Sequence, residues 1–313
     1  MTIKKKITIV GAGLMGIGIA QVFASSGCEV FLVDLNQDQL DKVPDGVSGI
    51  LENFAKYGVK FSDPDDVILG RIKTTTNMQE ACSGCDFVFE AVFENMELKQ
   101  KIIADLDRFC DEKTIICSNT SVMSITEIAS KSERKERILG THWWNPPHLI
   151  PLVEVVRTEA ASPACVDATF ELLEEVGKKP IRVNKDVPGF VANRLQHALW
   201  REAFALIDEG VCDAETVDVA VKNGFGMRLP VLGPVENADM VGLDLTFAIH
   251  DYILKFLSNN SEPSPTLKAA VEKGNLGFKS GQGFLSWTQD QIDASRSNLS
   301  NYLLETISAK EKS

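Results

Sequence analysis

The chain is poor in the groups that hold nucleic acid, metal or membrane. It carries 32 lysines and arginines against 44 acids, a net charge of −12 with a pI near 4.9. A phosphate backbone needs a basic face, so a nucleic-acid surface is excluded. Only four histidines are present. No second Cys or His pair lies at zinc spacing, so no metal site is expected. The seven cysteines are odd in number and follow no framework. Cys82 and Cys85 form a CxxC, but it precedes the apolar run FVFEAV instead of opening a helix as a redox motif does. They read as free thiols in a reducing compartment, the cytoplasm. No segment is apolar for long enough to span a bilayer. Lys4–Lys6 before the uncharged Ile7–Ala24 imitates a secretory leader. The four glycines in that stretch, Gly11, Gly13, Gly16 and Gly18, fit a strand–turn–helix better.

What is present is a globular mix. The 313 residues are 44% hydrophobic and 24% charged, enough for one large or two ordinary domains with a core that needs no staple. Lys6 to Val10 reads as a buried strand. Gly11-Ala-Gly13-Leu14-Met15-Gly16 follows and opens a helix to about Ser26, which Gly27 ends. Val30–Val33 is the next strand, closed by Asp34. This is a dinucleotide fingerprint in full context. Gly11 permits the turn, Gly13 lets a pyrophosphate approach the backbone, and Gly16 lets the helix sit close to the sheet. Asp34 can accept from the ribose hydroxyls. Leu35 and Asn36 follow it, and no arginine, so NAD is favoured over NADP.

Further on, Gln37–Val43 and Gly49–Tyr57 read as a helical pair broken at Pro44-Asp-Gly. Strands are expected at 72–76, 87–92, 114–117, 138–142, 152–156 and 180–183, with helices at 96–110 and 164–176. After Asp186-Val-Pro-Gly189 no strand signal recurs. Helices are expected near 189–209, 213–223, 235–256 and 264–274, and then a polar tail with a weak helix. The fold class is therefore α/β: a Rossmann-type, mostly parallel sheet domain over 1–185, then an all-helical domain over 186–313.

NAD implies hydride transfer, and oxidising an alcohol requires a base for the hydroxyl proton. The candidates are His142, His148, His197 and His250. His142 is the best placed, at a strand end on the carboxyl side of the sheet. Glu154 lies in the apolar run LVEVV and needs a partner there. It could orient His142 and stabilise the imidazolium. Ser118-Asn-Thr-Ser121 ends another strand, where its polar groups can meet a ligand or cap the next helix.

GAGLMGIGIAQ, SNTS, THWWNPP, LVEVV, PGFVANRL and LGFKSGQGF occur in one order over nearly the whole chain. Together they resemble the 3-hydroxyacyl-CoA dehydrogenases. The resemblance implies an NAD-dependent oxidoreductase of fatty acid metabolism, a homodimer acting on a small-molecule substrate. It implies His142 as base, Glu154 as its partner, and Ser121 and Asn193 as hydrogen-bonding groups for the substrate oxygens, Asn193 coming from the helical domain. Cofactor contacts would fall on Gly11, Gly13, Leu14, Met15, Gly16, Asp34, Glu94, Lys99, Asn119, Ser121, Asn145 and Lys279.

Trp143-Trp144-Asn-Pro-Pro departs from the Phe-Phe typical of acyl-CoA members. It is more similar to a side branch with gulonate, carnitine and hydroxypyridine-carboxylate dehydrogenases. The helical pair at 37–62 is where acyl-CoA members hold the CoA phosphates. Here it offers only Lys42, Lys56 and Lys60 as cations. Two substrate classes stay open, a 3-hydroxyacyl-CoA and a small free hydroxy acid. For a free acid, Arg228 is a carboxylate anchor or simply a loop ion pair. A non-catalytic, crystallin-like protein is a third reading, opposed by the intact Ser121, His142, Glu154 and Asn193 set.

Overall fold

The structure is a computed structural model and describes residues 4–311. The first half alternates strands and helices: β1 (Lys6–Val10), α1 (Leu14–Ser25), β2 (Glu29–Val33), α2 (Gln37–Leu40), α3 (Val43–Lys56), α4 (Asp65–Gly70), β3 (Ile72–Thr75), α5 (Met78–Cys82), β4 (Phe87–Glu90), α6 (Met96–Phe109) and β5 (Ile115–Ser118). Then come α7 (Ile125–Ile128), β6 (Ile138–Trp143), β7 (Leu152–Val156), α8 (Pro163–Glu175) and β8 (Lys179–Val183). Among the described residues these strands form one sheet, in the order β3-β2-β1-β4-β5-β6-β7-β8. All neighbours are parallel except β6 and β7. The chain steps from β1 outward to β2 and β3, then returns to β4 on β1's other side. That reversal opens a crevice at the carboxyl ends of β1 and β4, where such sheets bind ligands.

Continuous apolar runs build the central strands because both faces are covered. One cluster, with Phe23, Leu32, Phe89, Leu139 and Val155, packs under α1, α3 and α8. The other, with Val10, Val88, Ile103, Leu106 and Ile138, packs under α5 and α6.

Six helices follow: α9 (Ala192–Asp208), α10 (Ala214–Asn223), α11 (Pro234–Val241), α12 (Leu243–Ile253), α13 (Pro265–Glu272) and α14 (Gln289–Glu311). The chain divides into two compact units, one running up to Asn193 and resumed from Leu299 onward, the other Arg194–Asn298. The division expected at 185 thus falls inside the first unit, because Glu154 on β7 accepts the amides of Val191 and Ala192.

Three local expectations change. Pro44 does not break a helix; it lies in the first turn of α3, where the missing N–H costs nothing. The helix expected at 235–256 is split at Gly242, whose φ of 105° no helix accommodates. The polar tail is a 23-residue helix, α14. Its Leu304 is buried, with Leu303 and Ile307 beside it, against Phe54, Val59 and Leu149 of the first unit. Three apolar side chains suffice for that seam and leave only a weak periodic signal. No helix among the described residues is long and apolar enough to cross a membrane.

Candidate active site

The Gly11–Gly16 turn leaves β1 at the crevice. Gly11 has φ 109°, and a Cβ there would lie 2.7 Å from the Ala91 carbonyl oxygen. A Cβ on Gly16 would lie 1.8 Å from the Gly11 oxygen, so only glycine lets α1 start this close to the turn. Gly13, by contrast, caps α1 with no side-chain hydrogen bond, and a Cβ there meets nothing within 4 Å. The open space lies at a helix N-terminus whose first amides have no capping side chain, a fit for a pyrophosphate. Leu14 is largely exposed beside it, and Met15 packs on the core. Asp34 ends β2 and is tied to the turn: Ala12 N–H donates to Oδ2 at 2.8 Å and Asn36 N–H to Oδ1 at 2.9 Å. Each oxygen keeps a further lone pair for a ribose hydroxyl.

A buried polar network joins β4, β5 and α6. Glu90 accepts from Lys99 Nζ (2.8 Å), Ser118 Oγ (2.6 Å) and Val92 N–H (2.8 Å). Lys99 is fully buried and also reaches the Val92 carbonyl (3.3 Å) and Glu94 (3.5 Å). Glu94 in turn accepts from Ser121 N–H (2.5 Å) and from Thr120 Oγ1 (3.0 Å). Asn119 Oδ1 accepts from Trp143 N–H at 2.9 Å, and Asn193 Nδ2 donates to the Ser121 carbonyl at 2.9 Å. The structure therefore brings Glu94, Asn119, Ser121, Asn193 and, through β6, His142 together within the first unit. Asn193, expected from the helical domain, stands at the start of α9 and belongs to the first unit. Asn145 is exposed in the turn after β6, with a cis bond to Pro146. Lys279 is exposed in the other unit, on the bend where Gly277 pairs with Gln282.

His142 on β6 faces Glu154 on β7 across the antiparallel ladder. Its Nδ1 lies 2.6 Å from Glu154 Oε2, with both side chains buried. Burial raises the Glu154 pKa, but the bond to His142 and the amides of Ala192 and Val191 outweigh it and hold the carboxyl below its ordinary range. An ionised carboxylate only accepts, so the ring nitrogen facing it, Nδ1, carries a proton and donates to Glu154. Among the described residues Nε2 has no hydrogen-bond partner. The imidazole is flanked by Trp144, with ring centroids 5.3 Å apart, and by Phe190 at 5.8 Å.

Phe190 was not singled out by sequence reasoning, nor were Glu90 and the amides of Val191 and Ala192. Phe190 has φ 49°, the left-handed region that a bulky side chain rarely occupies. The kink buries its ring against Ile125, Val156 and Val183 and turns the next two N–H groups onto Glu154 Oε1, at 2.9 and 3.1 Å. Pro188-Gly189 before it was the available signal. For Glu90 the signal was an acid ending the apolar strand FVFE. His148 lies in the turn after β6, its ring edge-on to Phe54 at 6.0 Å. His197 and His250 belong to the other unit.

The chain matches the family model described as 3-hydroxyacyl-CoA dehydrogenase, NAD binding domain, over residues 6–187, and that of the C-terminal domain over 189–287. Its relatives include the 5-formyl-3-hydroxy-2-methylpyridine 4-carboxylate 5-dehydrogenase of Mesorhizobium japonicum, 33% identical over 93% of both chains. A solved structure of a dehydrogenase of that description, an NAD+-dependent dismutase, matches 99% of both chains with a TM-score of 0.91 at 32% identity. The (S)-3-hydroxybutyryl-CoA dehydrogenase structure from Ralstonia eutropha matches 91% of this chain and 100% of its own, with a TM-score of 0.77 at 35% identity. The chain belongs to the 3-hydroxyacyl-CoA dehydrogenase family, whose members are NAD-dependent dehydrogenases.

Proposed function

We propose that this NAD-dependent member of the family interconverts the alcohol and carbonyl forms of a small free hydroxy acid, with His142 as the base. The His142–Glu154 pair carries the reading. A neutral imidazole with Nδ1–H held by a buried carboxylate leaves Nε2 to take the hydroxyl proton. Glu154 then stabilises the imidazolium, and the two amides on its other oxygen keep it ionised while it does so. Ser121 and Asn193, already linked, hold the substrate oxygen. Gly11–Gly16, Asp34, Glu94, Asn119 and Asn145 hold the cofactor, whereas Lys99, which the resemblance also implies, is buried and engaged by Glu90, the Val92 carbonyl and Glu94. NAD, when bound, supplies the hydride acceptor.

Two features support a free acid over a CoA thioester. Residues 37–62, where acyl-CoA members hold CoA phosphates, carry Asp38, Asp41, Asp45 and Glu52 against three lysines. The hydroxypyridine-carboxylate enzyme matches with a TM-score of 0.91, against 0.77 for the hydroxybutyryl-CoA enzyme. The second reading, a 3-hydroxyacyl-CoA, is favoured by the 35% identity to the hydroxybutyryl-CoA enzyme. A screen of free hydroxy acids against 3-hydroxyacyl-CoAs, followed through NADH, decides: turnover confined to thioesters overturns the free-acid reading.

We also infer a homodimer. The unit from Arg194 to Asn298 exposes large apolar side chains, among them Val235 (75%), Phe247 (75%), Phe256 (69%) and Met240 (61%), which a subunit interface would cover. A monomeric mass by light scattering would refute it. Seven free thiols are in keeping with a reducing cytoplasm.

A further inference from the structure

The second half of α14 belongs to the first unit although the chain leaves that unit at Asn193. Leu304 is 2% exposed and Ser308 8%. Leu304 packs with Phe54 of α3, Val59 after it, and Leu149 in the turn that follows β6, while Leu303 and Ile307 flank it beside Ile50, Tyr57 and Phe61. The same turn begins at Trp144, which lies against His142. Its other side is fastened: Lys178 Nζ donates to the Pro147 and Ile150 carbonyls, and Phe54 meets His148 edge-on. The base therefore stands at one end of a turn whose far end is covered by the C-terminal helix.

We propose that residues 299–311 are a specificity element, a strap that closes the α3 side of the His142 site and limits how far a substrate can extend. The inference rests on the free-acid reading. A compact acid ends near the base. A substrate with a long flexible arm leaving the site along α3 must cross Phe54, Val59 and Leu149, the surface that Leu303, Leu304 and Ile307 occupy. Exclusion comes from an apolar seam already filled, so it acts on any long arm, with or without phosphates.

The test uses the full chain and S-acetoacetyl-pantetheine, an extended thioester without phosphates, so that the acidic charge of residues 37–62 plays no part. Leu304→Asp places a charge in the seam and releases the strap; Leu304→Met retains it. Release is read by limited proteolysis within 299–311, and the integrity of the site by the NAD+ dissociation constant. The expected result is a rise of about tenfold or more in kcat/KM for the pantetheine thioester, carried by KM, in Leu304→Asp but not in Leu304→Met. A released strap with unchanged NAD+ affinity and no such rise overturns the proposal. If Leu304→Asp does not fold, Ile307→Asp at the rim of the seam is held to the same two outcomes. The ratio of variant to wild type judges the strap. The wild-type rate on thioesters relative to free acids separately judges the substrate reading, so either can fail alone.

Discussion

Glu154 stands directly across the β6–β7 ladder from His142 and accepts its Nδ1–H at 2.6 Å. Antiparallel pairing sets the two side chains on one face with no loop between them, so the pair is as rigid as the sheet. The arrangement assigns Nδ1–H to the carboxylate, and in the proposed reaction Nε2 faces the substrate. Glu154→Gln presents an amide that can turn its NH2 toward the ring and stabilise the wrong tautomer. Its kcat should fall by about 10²–10⁴-fold with little change in NAD+ affinity, and His142→Gln should fall at least as far. Steady-state kinetics with the substrate found by the screen checks this; an unchanged rate in either variant removes the base from its role.

Gly13 and Gly16 separate binding from folding. An alanine at Gly16 puts a Cβ 1.8 Å from a backbone oxygen, whereas one at Gly13 meets nothing within 4 Å. Gly13 has φ −78°, which alanine adopts freely. Gly16→Ala should lose roughly 3 kcal/mol of stability or more. Gly13→Ala should unfold at the wild-type temperature but bind NAD+ about tenfold or more weakly, because its methyl fills the approach to the pyrophosphate. Thermal unfolding and NADH fluorescence titration give both numbers. Unchanged NADH affinity in Gly13→Ala would falsify the cradle.

Asp34 is expected to set the choice of cofactor by charge. Its oxygens are held by the amides of Ala12 and Asn36, so the carboxylate cannot swing away from a 2′-phosphate. NAD+ should be preferred over NADP+ by on the order of 100-fold in kcat/KM, and Asp34→Ser should narrow that ratio mainly by weakening NAD+. Equal use of both cofactors by the wild type is the contrary result.

The parts of this site that follow from local chemistry were legible in the sequence. Glycine spacing, the acid ending β2 and the acid inside LVEVV each announce a constraint that few other residues meet. The unread parts depend on tertiary placement. Nothing in FVFE says that Lys99, nine residues on, folds back onto Glu90. Nothing in PGFVAN says that a left-handed Phe190 aims two amides at Glu154. Pro44 reads as a breaker or as a first-turn residue depending on where the helix begins, and only packing decides. The C-terminal helix has a polar composition because it buries little: Ile292 near its start and one narrow seam centred on Leu304.

His148 contributes a pH term distinct from catalysis. Burial, and then the Lys178 ammonium, push its pKa down to about 4 from 6.5. Between those values the unfolded chain binds a proton that the folded chain refuses. The stability tied to neutral His148 is therefore complete above pH 6.5 and is lost as the pH falls toward 4, on the order of 3 kcal/mol at most. Lys178, held down at about 8 by burial, acts only in the alkaline range, where stability rises as the unfolded amine alone stays charged. His148→Gln should flatten the slope of unfolding free energy between pH 6.5 and 4. Urea titrations at several pH values measure it, and an identical slope in wild type and variant rules the term out.

Lys99 poses the sharpest choice between a structural and a ligand-binding lysine. An ammonium has three donors, and three acceptors surround this one: Glu90 at 2.8 Å, the Val92 carbonyl at 3.3 Å and Glu94 at 3.5 Å. The side chain is wholly buried, so no donor is left over for a cofactor atom. Lys99→Met fits the volume but strands the Glu90 carboxylate in the core with only Ser118 and the Val92 amide. Removing one partner of a buried pair costs about 3–5 kcal/mol, whereas Glu90→Gln combined with Lys99→Met should regain part of that loss. Glu94 keeps its bonds from Ser121 and Thr120 in the variant, so NAD+ affinity should change far less than stability. A direct cofactor contact predicts the opposite, a stable protein that binds NAD+ poorly. Measuring unfolding and NADH titration on the same preparation of Lys99→Met separates the two.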